Sequence, residues 1–131
     1  MFDETLLDWV RRVHEHTRWT ASVCSGSFVL GAAGLLRGLD ATSHWRYLKD
    51  LPGVGANPVA ERFATRGKII TAAGVSAGID MALALLAAST DDATAQAVQL
   101  ALEYDPRPPF QAGSPETAPP GLTETASGLI G

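Results

Sequence analysis

Trp19-Thr20-Ala21-Ser22-Val23-Cys24-Ser25-Gly26-Ser27-Phe28-Val29-Leu30-Gly31-Ala32-Ala33 changes character at its middle, and that change decides the fold. The residues up to Val23 suit a short buried strand, and those from Phe28 onward suit a packed helix. Between them stands small-x-Cys-x-Gly around Cys24, the single cysteine of the chain. This is the pattern of a nucleophile elbow, with cysteine in place of serine. A nucleophile at the tip of a tight strand-to-helix turn needs small neighbours so that the backbone can double back. The amides opening the helix then point at the reacting atom and favour negative charge on sulfur. The amide of Ser25 is placed to serve as an oxyanion donor. Free cysteine is also a small hydrophobe that often just packs, and the motif alone leaves both readings open.

The remainder of the composition narrows the classes. With 131 residues the chain is one domain or less. It is 46% hydrophobic and 18% charged, enough apolar matter for a core and too little charge for a disordered chain. A net charge of −4 argues against nucleic-acid or anionic-membrane partners, both of which call for a basic face. One cysteine makes no internal disulfide, so a cytoplasmic setting is expected. No apolar stretch of transmembrane length and no secretory signal is read at the N-terminus, where Asp3 and Glu4 stand.

Along the chain, strand and helix patterns alternate, which means an α/β sheet with helices on its faces. Leu6, Leu7, Val10 and Val13 recur at helical spacing behind Asp3, a fitting N-cap, and predict a helix over 4–17. Residues 19–23 form the first strand, and 25–36 a helix closed near Gly38. Residues 40–43 predict another short strand, and 45–50 a helical turn ended by Leu51-Pro52-Gly53. Strands over 59–63 and 68–72 are expected to pair across Thr65-Arg66-Gly67. A strongly apolar helix over 76–88 follows, opened by Ser76 and Gly78, and another runs from Asp91 or Asp92 to Tyr104. Residues 1–105 thus read as the packed part. Six of the eight prolines fall in 106–131, which predicts an extended or irregular C-terminal arm.

Other residues that invite chemistry weigh less. His14-Glu15-His16 looks like a metal pair, but positions i and i+2 of a helix point to different faces, so no metal site is expected. Asp80 falls in the first turn of its helix, where the dipole alone stabilises a carboxylate. Gly74-Val75-Ser76-Ala77-Gly78 lacks the lysine of a phosphate loop and reads as a tight strand-to-helix turn. His44 ends a short strand, where ligand sites form in α/β sheets, and is the candidate partner for Cys24.

Four motifs in order resemble the DJ-1/PfpI superfamily. They are Ser22-Val23-Cys24-Ser25-Gly26-Ser27, the run Ala32 to Gly38, Ala41-Thr42-Ser43-His44-Trp45, and the run Gly67 to Asp80. Within it the chain is similar to isonitrile hydratases and to the ligand-sensing domains of AraC-type regulators. Glu103-Tyr104-Asp105-Pro106-Arg107-Pro108-Pro109-Phe110 looks like the hydratase-type arm. The resemblance implies a flavodoxin-like, three-layer α/β sandwich, a homodimer, and a small-molecule substrate with no cofactor. It implies Cys24 as nucleophile, Ser25 where hydratases commonly carry threonine, His44 beside the cysteine, and Gly26 against the substrate.

The family's acidic group on the first strand has no counterpart here, because this sequence opens in what should be the middle of the domain. The fold is therefore expected as an N-terminally truncated one, unstable or self-associating alone. Two functional classes follow. One is an isonitrile hydratase-like lyase, dependent on the part that carries the acid. The other is a non-catalytic ligand-sensing or thiol stress-sensing domain, which in its regulator form wants a basic helix-turn-helix downstream. The proline-rich arm favours the hydratase branch.

Overall fold

In a computed structural model, which describes residues 2–131, the elements follow in chain order. They are α1 (Glu4–His14), β1 (Thr20–Val23), a 3-10 turn (Cys24–Gly26), α2 (Ser27–Ala32) and β2 (Asp40–Ala41). A 3-10 helix (Leu48–Val54), β3 (Asn57–Pro58), β4 (Phe63–Arg66) and β5 (Ile69–Ala72) come next. Then follow α3 (Val75–Ser89), α4 (Asp92–Ala101) and α5 (Leu122–Leu129). β5 lies at the centre of a three-stranded sheet of order β1-β5-β4, and β2 and β3 form a separate parallel pair. β1 runs parallel to β5 with Val23 opposite Ala72, while β4 runs antiparallel with Arg66 opposite Ile69.

All four residues of β5 are buried, as expected of a strand covered on both faces. Their alternation divides the core. Ile69 joins Leu30, Leu36, Ala41, Leu51 and Ala56 on one side of the sheet. Ile70 and Ala72 join Ala77 and Met81 of α3 on the other. Helix, sheet and helix are therefore three layers, the α/β architecture expected. Among the described residues no helix is long and apolar enough to cross a membrane.

The differences from expectation lie at element ends and in two elements that were not expected, β3 and α5. α1 is capped by Asp3, whose carboxylate accepts from the Thr5 amide at 3.0 Å. It stops at His14, where the Lys68 ammonium donates to the carbonyls of His14 and Thr17, favourable placement at a helix C-terminus. Leu7 is buried and Val10 packs on the core, but Leu6 faces solvent. α2 ends well before Leu36. Gly34 has φ 85°, its amide bonds to Gly31 O at 2.9 Å, and the Leu35 amide bonds to Leu30 O at 3.0 Å. That pair of bonds is a Schellman closure, made at Gly34 rather than Gly38.

The strand expected over 59–63 is displaced to Phe63–Arg66, because the turn is Gly67-Lys68 with Gly67 at φ 58°. Only glycine adopts that conformation freely, and it fixes the two-residue loop. The 3-10 helix runs through Pro52 and ends at Gly55, φ 81°. α3 opens without a side-chain cap, at Gly74. α4 is capped by Asp91, whose carboxylate accepts from the Thr94 amide at 2.7 Å, and it stops at Ala101. The arm over 106–131 carries one helix, α5.

Candidate functional site

Cys24 stands at the carboxyl end of β1 with φ 59°, one of two non-glycine residues among those described with positive φ. An L-residue held there stores on the order of 1–3 kcal/mol of strain and persists only where its surroundings over-determine it. The surroundings are visible. The Cys24 amide donates to Ala73 O at 2.8 Å. Its carbonyl accepts from Ser43 Oγ at 3.0 Å and from Ser27 Oγ at 3.3 Å. Both serines are fully buried, so these hydroxyls have little else to bond. The backbone then continues directly into the 3-10 turn and α2. The thiol is free and partly exposed.

Gly26 is not the residue that makes the close approach at the elbow. A Cβ at Gly26 would sit 3.6 Å from Ser22 Cβ, an ordinary contact, and Gly26 has the helical φ of −57°. The close approach is made from the other side of the sheet. A Cβ at Gly78 of α3 would meet both Val23 methyls at 3.2 Å, so Gly78 lets α3 close over the end of β1.

His44 is brought to the same end of the sheet. It follows Ser43, and its Cδ2 lies 3.6 Å from where a Cβ of Gly74 would stand. Gly74 in turn follows Ala73, the acceptor of the Cys24 amide. The ring lies between Trp45, at 5.3 Å between centroids, and Tyr47, at 6.2 Å. Nδ1 accepts from the Arg46 amide at 3.3 Å, which leaves the proton of the neutral ring on Nε2. Burial, and then the charge of Arg46, push the His44 pKa below the ordinary histidine value. No hydrogen bond joins His44 to the Cys24 thiol among the described residues. The loop carrying His44 is anchored through Thr42, whose amide donates to Thr71 Oγ1 of β5 at 2.9 Å.

Ser25 and Gly26 line an open cavity of about 340 Å³ that continues along α2 past Phe28 and Val29 to Tyr47 and Asp50, with Phe2 completing its lining. Ser25 is exposed, so its side chain and the start of α2 form the wall of that space next to Cys24. This cavity was not legible beforehand, because Phe2, the segment 25–29 and the segment 47–50 meet only through the fold. The roles of Ser27 and Ser43 are likewise tertiary, although Ser27 at i+3 from the nucleophile is a spacing that suits a bond to its carbonyl.

The remaining candidates lie elsewhere. His14 Nδ1 is 2.8 Å from Thr20 Oγ1, and no three His, Cys, Asp or Glu side chains among the described residues stand close enough to share a metal ion. Asp80 does more than meet a helix dipole. Its Oδ2 accepts from Arg62 Nε at 2.9 Å and pairs with the second guanidinium nitrogen at 2.8 Å. Its Oδ1 accepts from the Tyr104 hydroxyl at 2.6 Å. Burial pushes the Asp80 carboxyl up, but Tyr104 and Arg62 outweigh it and hold the group below the usual carboxylate range. This cluster ties the residue before β4, α3 and the exit of α4 together.

A strained cysteine at the end of a parallel strand, leading into a helix, is the class of site that a nucleophile elbow defines. The chain belongs to the DJ-1/PfpI family, whose profile matches residues 2–88. It is 50% identical over 126 residues to isonitrile hydratase of Pseudomonas putida, which covers 96% of this chain and 55% of that protein. A ThiJ/PfpI family protein from Pseudomonas syringae superposes with a TM-score of 0.92 at 43% identity, covering 98% of this chain and 53% of that one. The HTH-type transcriptional regulator CdhR of Pseudomonas aeruginosa is 35% identical over 86 residues, 63% of this chain and 25% of the regulator. The chain thus spans about half the length of the first two relatives.

Proposed function

We propose that this chain carries the nucleophile of an isonitrile hydratase-like reaction, in a cytoplasmic, homodimeric protein that acts on a small molecule without metal or cofactor. The observation that carries the reading is the strained, free Cys24 at its elbow, in a chain 50% identical to isonitrile hydratase. The Cys24 thiolate adds to the terminal carbon of R–N≡C, and that carbon takes a proton to give a thioimidate. Water then adds to the same carbon and the C–S bond breaks, returning the thiolate and releasing R–NH–CHO. One water is consumed overall and the proton is returned. The Ser25 amide and the start of α2 stabilise charge as it develops, Gly26 borders the substrate, and His44 moves the proton through Nε2.

The test is release of N-hexylformamide from n-hexyl isonitrile, followed by mass spectrometry, with the chain supplied with the part that carries the family's acid, as wild type and as Cys24→Ser. Formamide from the wild type and none from the variant is the expected result. Release that survives Cys24→Ser, or no release from the wild type, overturns the reading. A ligand-sensing domain is the second reading, favoured by the similarity to CdhR. Ligand binding without turnover selects it.

A further inference from the structure

We infer that the cavity running from Ser25 to Asp50 holds the nitrogen substituent of the isonitrile, and that the preferred substituent is an apolar chain tipped by a cation. The inference rests on the hydratase reading and adds the chemistry of the substrate to it. Cys24 itself does not line the cavity, whereas the next two residues, Ser25 and Gly26, do. An isonitrile is linear at nitrogen, so with its terminal carbon at the Cys24 sulfur the substituent extends away from the thiol, and the space opened by the neighbouring Ser25 and Gly26 is the one that takes it. Its volume of about 340 Å³ lies within the range of small-molecule sites.

The wall changes along its length. Phe2, Phe28 and Val29 make it apolar, and Phe28 meets the Tyr47 ring edge to face at 6.5 Å. Asp50 is the one charged residue in the lining and forms no ion pair or side-chain hydrogen bond among the described residues. The nearest cation recorded against Tyr47 is the Arg46 guanidinium, 5.7 Å from the ring centroid, and Arg46 does not line the cavity. Three aromatic rings, of Phe2, Phe28 and Tyr47, and the exposed, free carboxylate of Asp50 form a combination that receives an ammonium group. An anionic tip would meet the same carboxylate and be rejected.

The experiment compares n-hexyl isonitrile with 5-ammoniopentyl isonitrile, which replaces the terminal methyl by an ammonium of similar size. Wild-type chain is expected to favour the ammonium compound in kcat/KM by about threefold to fivefold, the scale of a solvent-exposed ion pair. The ratio should fall to one or below in Asp50→Asn and shrink in high salt. Equal rates in the wild type, or a preference that persists in Asp50→Asn, overturn the inference. If neither isonitrile is hydrated, the hydratase reading has failed, and the cavity is judged separately by calorimetric titration of the two matched formamides. Tighter binding of 5-ammoniopentylformamide, lost in Asp50→Asn, supports the cationic site; equal or undetectable binding of the pair overturns it.

Discussion

At Cys24 the backbone works against the side chain, and this makes the elbow testable without any substrate. A Cβ at φ 59° is disfavoured, and glycine alone escapes the penalty. Cys24→Gly should therefore be more stable to urea than Cys24→Ala by roughly 0.5–1 kcal/mol, the reverse of the usual order of these residues. If the alanine variant proves the more stable, the residue is not held in the left-handed region. His44 offers a second test, through pH. Its folded pKa is lowered, as is that of His14, where burial and then Lys68 disfavour the imidazolium. Below pH 6.5 the unfolded chain binds more protons at both histidines, so stability falls with pH from 6.5 towards the folded values and is fully present above. The carboxylates Asp40, Asp80 and Asp91, all lowered, act only below their ordinary value of 3.8, a separate window. His44→Gln should flatten part of the slope just below pH 6.5, and urea midpoints at pH 5 and pH 7 measure it. An unchanged slope would mean that the ring is as solvated as in the unfolded chain.

Elements are fitted to one another most closely where α2 crosses the 3-10 helix. A Cβ on Gly31 would overlap the Val54 side chain, and Val54 is held within the cluster of Leu30, Leu36 and Leu51. Gly31→Ala should cost about 1–3 kcal/mol by overpacking, and Val54→Gly, which removes the Val54 Cβ as well as its methyls, should relieve that overlap in the double variant, as the coupling term of a thermodynamic cycle would show. Additive losses would place the two elements further apart than the structure has them. This contact also shows what could be read beforehand. Asp3 as a cap, a second cap at Asp91 or Asp92, the elbow at Cys24 and a strand over 68–72 follow from local chemistry, and they were legible; that this strand is the centre of the sheet was not. The end of α2 was not, because Gly34 and Gly38 both adopt positive φ and only the bond from Leu35 to Leu30 selects the first. The hairpin was shifted for a similar reason, since any of several residues near Gly67 suits a turn. α5 was hidden by the prolines around it. At the candidate site, Cys24 and Ser25 were singled out by the elbow pattern and His44 by its place after a short strand, whereas the hydroxyls of Ser27 and Ser43 and the cavity reaching Asp50 exist only after distant segments meet.

At the scale of the whole molecule, β1 is an edge strand of the three-stranded sheet, and no strand pairs with its outer side among the described residues. The Thr20 amide bonds to Lys68 O at 2.9 Å and the Cys24 amide to Ala73 O at 2.8 Å, so alternate residues of β1 face β5. The amides and carbonyls of Ala21 and Val23 therefore point away from the sheet, and Ala21 and Val23 are exposed. Val75 and Ile79, at the start of α3, are exposed as well, at 81% and 41%. An unpaired strand edge flanked by apolar side chains invites pairing with another chain, and a native protein at work keeps such an edge covered. This chain by itself should therefore associate as its concentration rises, with sedimentation shifting from monomer to larger species in the micromolar range. Ala21→Pro discriminates the cause. The outward amide of Ala21 donates to nothing in the sheet, so proline removes no ladder bond while blocking any strand that docks there. Association should fall in Ala21→Pro with the melting temperature little changed. Association that is indifferent to the proline would place the contact on another surface, and a wild-type chain that stays monomeric would mean that the open edge is protected by its short length and by the side chains beside it.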